Sequence, residues 1–262
     1  MPTYLADILQ SHRARANADH RDLDELAASV AARPAPRDFM AALRGPGLAC
    51  IAEVKRRSPS KGDLDLDLQP DQLGKEYEAG GAAALSVLTD QAFFGGSVSD
   101  LQSARQASGL PVLRKDFTVQ ELDVIDARLM GADAVLLIVA TLTDEELTCF
   151  VDRASTLGLA ALVEVHDGEE LARALGAGAG LVGVNQRDLR TFSVDHERAC
   201  SLAAGIPSGV VAVAESGIRG GDDARRLAEA GYDAILVGET LVRSADRAAE
   251  LGSLTGHPVS VR

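Results

Sequence analysis

Two charges of opposite sign leave one short apolar run together. Residues 51–54 read Ile-Ala-Glu-Val, and Lys55 follows. In an extended strand, residues i and i+2 share a face, so Glu53 and Lys55 project side by side from the end of one strand. The next residues, Arg56-Arg57-Ser58-Pro59-Ser60-Lys61-Gly62, are rich in cations, hydroxyls and chain breakers. Such a segment suits an anionic small molecule and could act as a lid over it. A solvated charged strand end has the same composition, so the reading gains weight only because the pattern recurs. Later apolar runs end at Thr89-Asp90, at Lys115-Asp116, at Glu164 then His166, at Asn185 then Arg187-Asp188, at Glu215-Ser216-Gly217 and at Gly238-Glu239. Carboxylates and ammoniums gathered in a half-buried pocket acquire shifted pKa values and suit proton transfer near neutrality. The competing reading is a structural ion network in which Glu53, Glu164 and Glu215 pair with Lys55, Lys115 and Arg187.

The last two of these sites offer backbone N–H groups beside small residues. Ser216-Gly217 precedes the helix-starting stretch Gly220-Gly-Asp-Asp-Ala-Arg-Arg, and Gly238 opens another loop. Small residues let an anion approach the backbone. A GxGxxG match, Gly178-Ala-Gly180-Leu-Val-Gly183, is set aside. A dinucleotide fingerprint follows a strand and opens a helix, whereas this one follows a helical stretch and enters a strand.

The elements that must carry these residues alternate from residue 48 on. Strand-length aliphatic runs fall at 48–54, 83–89, 111–114, 134–139, 159–165, 181–184, 210–214 and 233–237. Helical stretches such as QPDQLGKEYEAGG, SVSDLQSARQASG, TVQELDVIDARLMG, TDEELTCFVDRASTLG, DGEELARALGAG and GDDARRLAEAGY lie between them. Thr143 followed by Glu146 is a capping box, and Gly158 is the stop signal of that helix. Near-continuous apolar strands are expected when helices cover one face and a core fills the other. A weak echo recurs before alternate strands, in Gly81-Ala-Ala-Ala, Gly131-Ala-Asp-Ala, Gly178-Ala-Gly and Gly231-Tyr-Asp-Ala. Eight strand–helix units in 262 residues predict a single α/β domain, a closed (β/α)8 barrel over 48–262; an open doubly wound sheet is the alternative. Residues 1–47 break the pattern. They read as two amphipathic helices, a Pro-rich break and a short helix at 38–44, an N-terminal extension too short for its own core.

Composition narrows the partners. Apolar residues are 46% of the chain but aromatics only 3%, and Trp is absent, so the core is aliphatic. A net charge of −13 argues against nucleic acid, though local cations can still focus field on a small anion. Cys50, Cys149 and Cys200 form no CxxC pair, and the five histidines form no HExxH. No metal site is expected, and the cysteine usage fits a reducing cytoplasm. No run reaches the ~18 apolar residues of a membrane span. The chain is expected to be a cytoplasmic monomer, with a weak homodimer through the N-terminal helices left open.

The ordered motifs EVKRRSPSKG, SVLTDQAFFGGS, PVLRKDF, ALVEVH, GVNQRDL, AESGI and LVGET resemble those of the indole-3-glycerol phosphate synthase family. They span about residues 48–245, one at nearly every strand end, and the N-terminal extension is similar too. The resemblance implies a (β/α)8 barrel that needs no cofactor or metal. It implies the substrate 1-(2-carboxyphenylamino)-1-deoxyribulose 5-phosphate, closed to indole-3-glycerol phosphate with loss of carbon dioxide and water. By resemblance, Lys115 is the principal general acid and Glu164 the carboxylate of the dehydration. Lys55 contacts substrate anions, Glu53 and Asn185 stabilise intermediates, and Glu215 and Ser216 are active-site residues of strand seven. Lys55, Ser216, Gly217, Gly238 and Glu239 fall at the phosphate end. Phe94, Phe117, Leu136 and Leu189 wall the aromatic ring, with Ser58 and Arg187 as polar contacts. Two positions depart from relatives: Gln186, read as pointing outward and discounted, and Glu239, whose carboxylate would repel phosphate unless only its backbone faces the ligand. From the residues themselves two alternatives stay open, another phosphate-binding barrel enzyme of the phosphoribosyl isomerase type and a non-catalytic ligand-binding paralogue.

Overall fold

A computed structural model of the chain describes residues 4–58, 62–188 and 193–262. Eight parallel strands close into a barrel. They are β1 (Ala49–Val54), β2 (Ala84–Leu88), β3 (Val112–Lys115), β4 (Ala134–Ile138), β5 (Ala160–Val165), β6 (Leu181–Asn185), β7 (Val211–Glu215) and β8 (Ala234–Val237). Each pairs with its neighbour in chain order, and β8 returns to β1 with Ala234 beside Ala49. The eight aliphatic runs therefore are the barrel strands, with ends displaced by about a residue, within the usual uncertainty of boundaries. One displacement matters: β3 extends to Lys115, which pairs with Leu88.

Two apolar layers follow from the two-residue period of a strand. Outward residues such as Cys50, Ala52, Val163 and Val182 pack under the surrounding helices. Inward residues such as Ile51, Leu113, Leu162 and Val213 fill the barrel. Continuing each inward series one step toward the strand's C-terminal end reaches Glu53, Lys115, Glu164 and Glu215. The same alternation in β6 runs Leu181, Gly183, Asn185. The core thus ends in a polar layer at the face where barrel enzymes hold their sites.

The helices start and stop where capping chemistry directs. Thr143 and Glu146 form the reciprocal capping box of Asp144–Thr156, and Gly158 beyond it has φ +72°. Asp167 caps Gly168–Gly176, and Ser97 caps Val98–Ala107. The GxGxxG stretch indeed links that helix's end to β6. A helix at His196–Ala203 after β6 and the C-terminal helix Arg247–Leu254 were not among the stretches read from the sequence, as their apolar stripes are short. Arg57–Ser58 pairs antiparallel with Gly62–Asp63, so the segment after β1 makes a small ladder; its residues 59–61 lie outside the described residues.

The N-terminal residues form α1 (Tyr4–Asn17), α2 (Leu23–Ser29) with a 3₁₀ turn at Val30–Ala32, and α3 (Phe39–Leu43). Phe39 and Leu43 of α3 are buried in the same cluster as the inward residues of β1, β2 and β8. They cover the end of the barrel opposite the polar layer. From α1, Arg13 makes a two-point contact with Glu146, at 2.6 and 2.9 Å, and buried His12 meets Asp90 at 2.9 Å. His12, Asp90 and Asp116 form the one cluster among the described residues whose donor atoms lie close enough for a cation. Asp116 already accepts from Thr89 and Arg114, and Asp90 from Phe93 N–H. The cluster is a hydrogen-bonded joint between α1 and the loops after β2 and β3.

Because Phe39 fills the barrel end, Phe39→Ala should lower stability by about 3–5 kcal/mol. Urea denaturation followed by circular dichroism would read this as an earlier midpoint. An unchanged midpoint would mean that α3 is not part of the cooperative core.

Candidate active site

The polar layer is the floor of a cavity of about 770 Å³. Lys115 Nζ donates to Glu164 Oε2 at 3.1 Å and to Glu215 Oε2 at 2.7 Å. Glu53 pairs with Lys55, and Ser86 Oγ donates to Glu53 Oε2 at 3.4 Å. Asn185 is oriented by its surroundings: its Oδ1 accepts from Arg187 N–H at 3.0 Å, so its Nδ2 donates to Glu164 Oε1 at 3.1 Å. The period-2 alternation brings these groups together from β1, β3, β5, β6 and β7. None of the pairs except Glu53–Lys55 is adjacent in sequence, which is why spacing alone does not reveal them.

The charges on this floor do not balance. Glu53, Glu164 and Glu215 face only two ammoniums, Lys55 and Lys115. Burial works against the Lys115 ammonium, but the fields of Glu215, Glu164 and Glu53 outweigh it and hold its pKa above the ordinary lysine range. The Glu164 pKa is raised by burial but more strongly lowered by Lys115, His166 and Asn185, so it stays ionised. Glu215 takes up the imbalance: burial, with the charges of Glu164 and Glu53, pushes it up to about 7 despite Lys115. Its Oε1 is buried with no hydrogen-bond partner.

Two glycines make room for this arrangement. A Cβ on Gly183 would overlap Glu215 Oε1, and one on Gly238 would lie 2.6 Å from Glu53 Oε1 and 3.0 Å from Lys55 Nζ. The third glycine of the rejected GxGxxG match is thus required by packing within the site. Ser216 is the only non-glycine among the described residues with positive φ, at +69°, a conformation that costs of order 1–3 kcal/mol. Gln186 holds it there: its backbone N–H donates to the Glu215 carbonyl at 3.0 Å and its Nε2 to the Ser216 carbonyl at 2.8 Å. Gln186 does turn away from the cavity, but it is fully buried and cannot be discounted.

Strand order separates the cavity walls. Phe94 after β2, Phe117 after β3, and Leu136 and Ile138 of β4 make an apolar side, with the two rings 6.4 Å apart. On the other side, the loops after β6, β7 and β8 supply Arg187, Ser216, Gly217, Arg219, Gly238, Glu239 and Arg243. Ser58 lines the mouth. Glu239 turns its carboxylate toward Arg243, with the nearest atoms 3.5 Å apart, so its side chain meets a cation. Leu189 lies outside the described residues. Arg219, His196, Thr240 and Arg243 also line the cavity and are not among the residues expected from the sequence. Arg219 and Arg243 could have been found from their positions, three residues after Ser216 and four after Glu239, inside the same two loops.

Since Gly183 gives up its side-chain volume to Glu215, Gly183→Ala should cost about 1–3 kcal/mol by overpacking. It should also displace the Glu215 carboxylate. Thermal unfolding compared with Gly176→Ala, where an added Cβ meets nothing within 4 Å, checks the first; equal stability of the two variants would contradict it.

With this geometry in hand, similarity to known proteins can be stated. A sequence model of the family Indole-3-glycerol phosphate synthase matches residues 5–254. The chain is 52% identical over 247 residues to Indole-3-glycerol phosphate synthase 2 of Streptomyces coelicolor, covering 94% of this chain and 95% of the relative. It is 50% identical over 254 residues to the Mycobacterium avium indole-3-glycerol phosphate synthase, covering 96% and 93%. Among solved structures, thiamine phosphate pyrophosphorylase from Pyrococcus furiosus superposes with a TM-score of 0.60 at 20% identity, covering 79% of this chain and 93% of that one; this likeness shows the fold alone. No helix among the described residues is long and apolar enough to cross a membrane. A closed barrel with an acid–base floor, matched over nearly its whole length, places the chain in the indole-3-glycerol phosphate synthase family, carboxy-lyases of tryptophan biosynthesis.

Proposed function

We propose that the residues of this floor divide the family's reaction between them, and that Lys115 is the acid of the first step. The observation that carries the reading is the placement of Lys115 Nζ between Glu164 and Glu215, where it is kept charged. The substrate's aromatic ring lies against Phe94, Phe117 and Leu136. Its phosphate lies against Arg219, Arg243 and the backbone of Gly217 and Gly238. That span sets the ribulose carbonyl over the ammonium. As the carboxylate-bearing ring carbon attacks the carbonyl, Lys115 gives the oxygen a proton. The carboxyl group then leaves as carbon dioxide, and its bonding electrons restore the aromatic ring. In the dehydration, Glu164 takes a proton from the methylene carbon adjacent to the carbon that bears the new hydroxyl, and that hydroxyl departs as water after protonation by Lys115, recharged in between by Glu215.

The other roles follow from contacts. Lys55, tethered by Glu53, answers the substrate's anionic groups. Asn185 aims Glu164. Glu215, titrating near neutrality, can return a proton to Lys115 between the two steps. Ser58 and Arg187 close the polar edge. Residues 1–47 serve as a brace, with α3 below the barrel and His12 above it, rather than as a separate unit. The protein acts on a small phosphorylated anion, as a monomer in the cytoplasm.

Lys115→Ala should lower kcat by about 10²–10⁴-fold, the usual worth of a positioned acid, with circular dichroism unchanged. Purified protein mixed with the carboxyphenylamino-deoxyribulose phosphate and followed by indole fluorescence reads this directly. A folded Lys115→Ala variant with wild-type kcat would remove Lys115 from the acid role.

A further inference from the structure

One buried titratable side chain beside the floor has no part in the steps above. His166 stands one residue beyond β5, and its i−2 neighbour on the same strand face is Glu164. The ring is held from one side only. Its Nδ1 lies 3.0 Å from Glu170 Oε2, and the same oxygen accepts the His166 backbone N–H at 2.7 Å. Glu170 is itself fixed in the first turn of Gly168–Gly176, whose N-cap is Asp167. A carboxylate can only accept, so Nδ1 must carry a proton. The other nitrogen, Nε2, is buried with no hydrogen-bond partner and faces Glu164 Oε1 at 3.7 Å.

A lone pair on Nε2 facing an ionised carboxylate would be repulsive, whereas an N–H there is attractive. We propose that His166 is a positioning residue for Glu164: anchored through Nδ1 by Glu170, it presents an Nε2–H to Glu164 Oε1 and keeps that carboxylate charged and aimed at the cavity. The charged groups facing the ring are Glu164, Glu170 and, from β7, Glu215. Burial opposes the imidazolium, but these three carboxylates hold the His166 pKa above its ordinary value. Glu164 in turn is approached by Lys115 on one oxygen and by Asn185 and His166 on the other. His166 thus sets a positive ring edge 3.7 Å from the oxygen that accepts from Asn185, a charge contact rather than a hydrogen bond.

The inference rests on Glu164 being the base of the dehydration, and its test separates the two claims. The pH profile of kcat is measured for wild type, His166→Gln, Glu170→Gln and Glu164→Gln. Gln at 166 can donate a hydrogen bond but carries no charge. His166→Gln should therefore move the acidic limb of kcat upward by about one pH unit or more, the effect expected on removing a nearby opposite charge. KM should stay within about twofold, because the ring is placed to act on Glu164 rather than on substrate binding. Glu170→Gln should shift the limb in the same direction by less, and it serves as the probe if His166→Gln does not fold. A wild-type acidic limb in both variants, with Glu164→Gln inactive, would overturn the role of His166 and leave Glu164 as the base. Full turnover by Glu164→Gln would overturn both.

Discussion

A single ammonium, Lys115 Nζ, sits between two carboxylates where an aliphatic barrel core ends. Burying a charge is expensive unless it is paired, and the barrel meets this cost by bringing Glu164 and Glu215 to the same point from β5 and β7. Breaking such a buried pair from one side would leave an uncompensated charge, so the three side chains constrain one another. Their positions require strand register. A slip of one residue in β3, β5 or β7 would turn the charged group into the helix layer and an aliphatic one into the cavity. The apolar layers below, down to Phe39 and Leu43 of α3, enforce that register through the same two-residue period.

An odd number of carboxylates gives the floor its chemical character. Glu53 with Lys55 is neutral, and so is Glu164 with Lys115. Glu215 is the remainder, and burial beside Glu164 and Glu53 pushes its pKa up to about 7, next to the Lys115 ammonium. Gly183 and Gly238 provide the space in which these groups approach each other. Gln186 holds the strained backbone at Ser216, which turns the chain from the acid–base floor into the cation-rich loop. The two ends of the cavity are thereby joined through one short segment after β7.

Much of this was legible in the sequence because a parallel barrel writes itself as strand-length aliphatic runs that end at polar residues. The eight strands, the capping box at Thr143 and Glu146, and the inverted context of the glycine motif could all be read locally. Glu53 and Lys55 are two residues apart, so their pairing was readable too. A Glu164–Lys115 pair was readable only as a competing ion network, and Glu215, there set against Arg187, joins Lys115 instead, because these residues are 49 and 100 positions apart and only closure of the barrel brings them together. The burial of Gln186 escaped because strand alternation tells which way a side chain turns, not whether a loop covers it. Arg219 and Arg243 line the cavity, but an arginine in a loop has the same sequence appearance whether it faces a cavity or solvent. His166 is visible as a residue, but its setting is not: Glu170 comes from the next helix, and the approach of Nε2 to Glu164 depends on the folded loop.

The raised pKa of Glu215 beside Lys115, left by the charge imbalance on the floor, can be read spectroscopically. Infrared difference spectra across a pH titration would report a protonated carboxylic acid by its C=O stretch. Above the pH range in which ordinary carboxyls titrate, about pH 4, a band should be present up to about pH 7, disappear above it, and be missing in Glu215→Gln. A wild-type spectrum without a carboxylic acid band near neutrality, or a band that persists unchanged in Glu215→Gln, would contradict it.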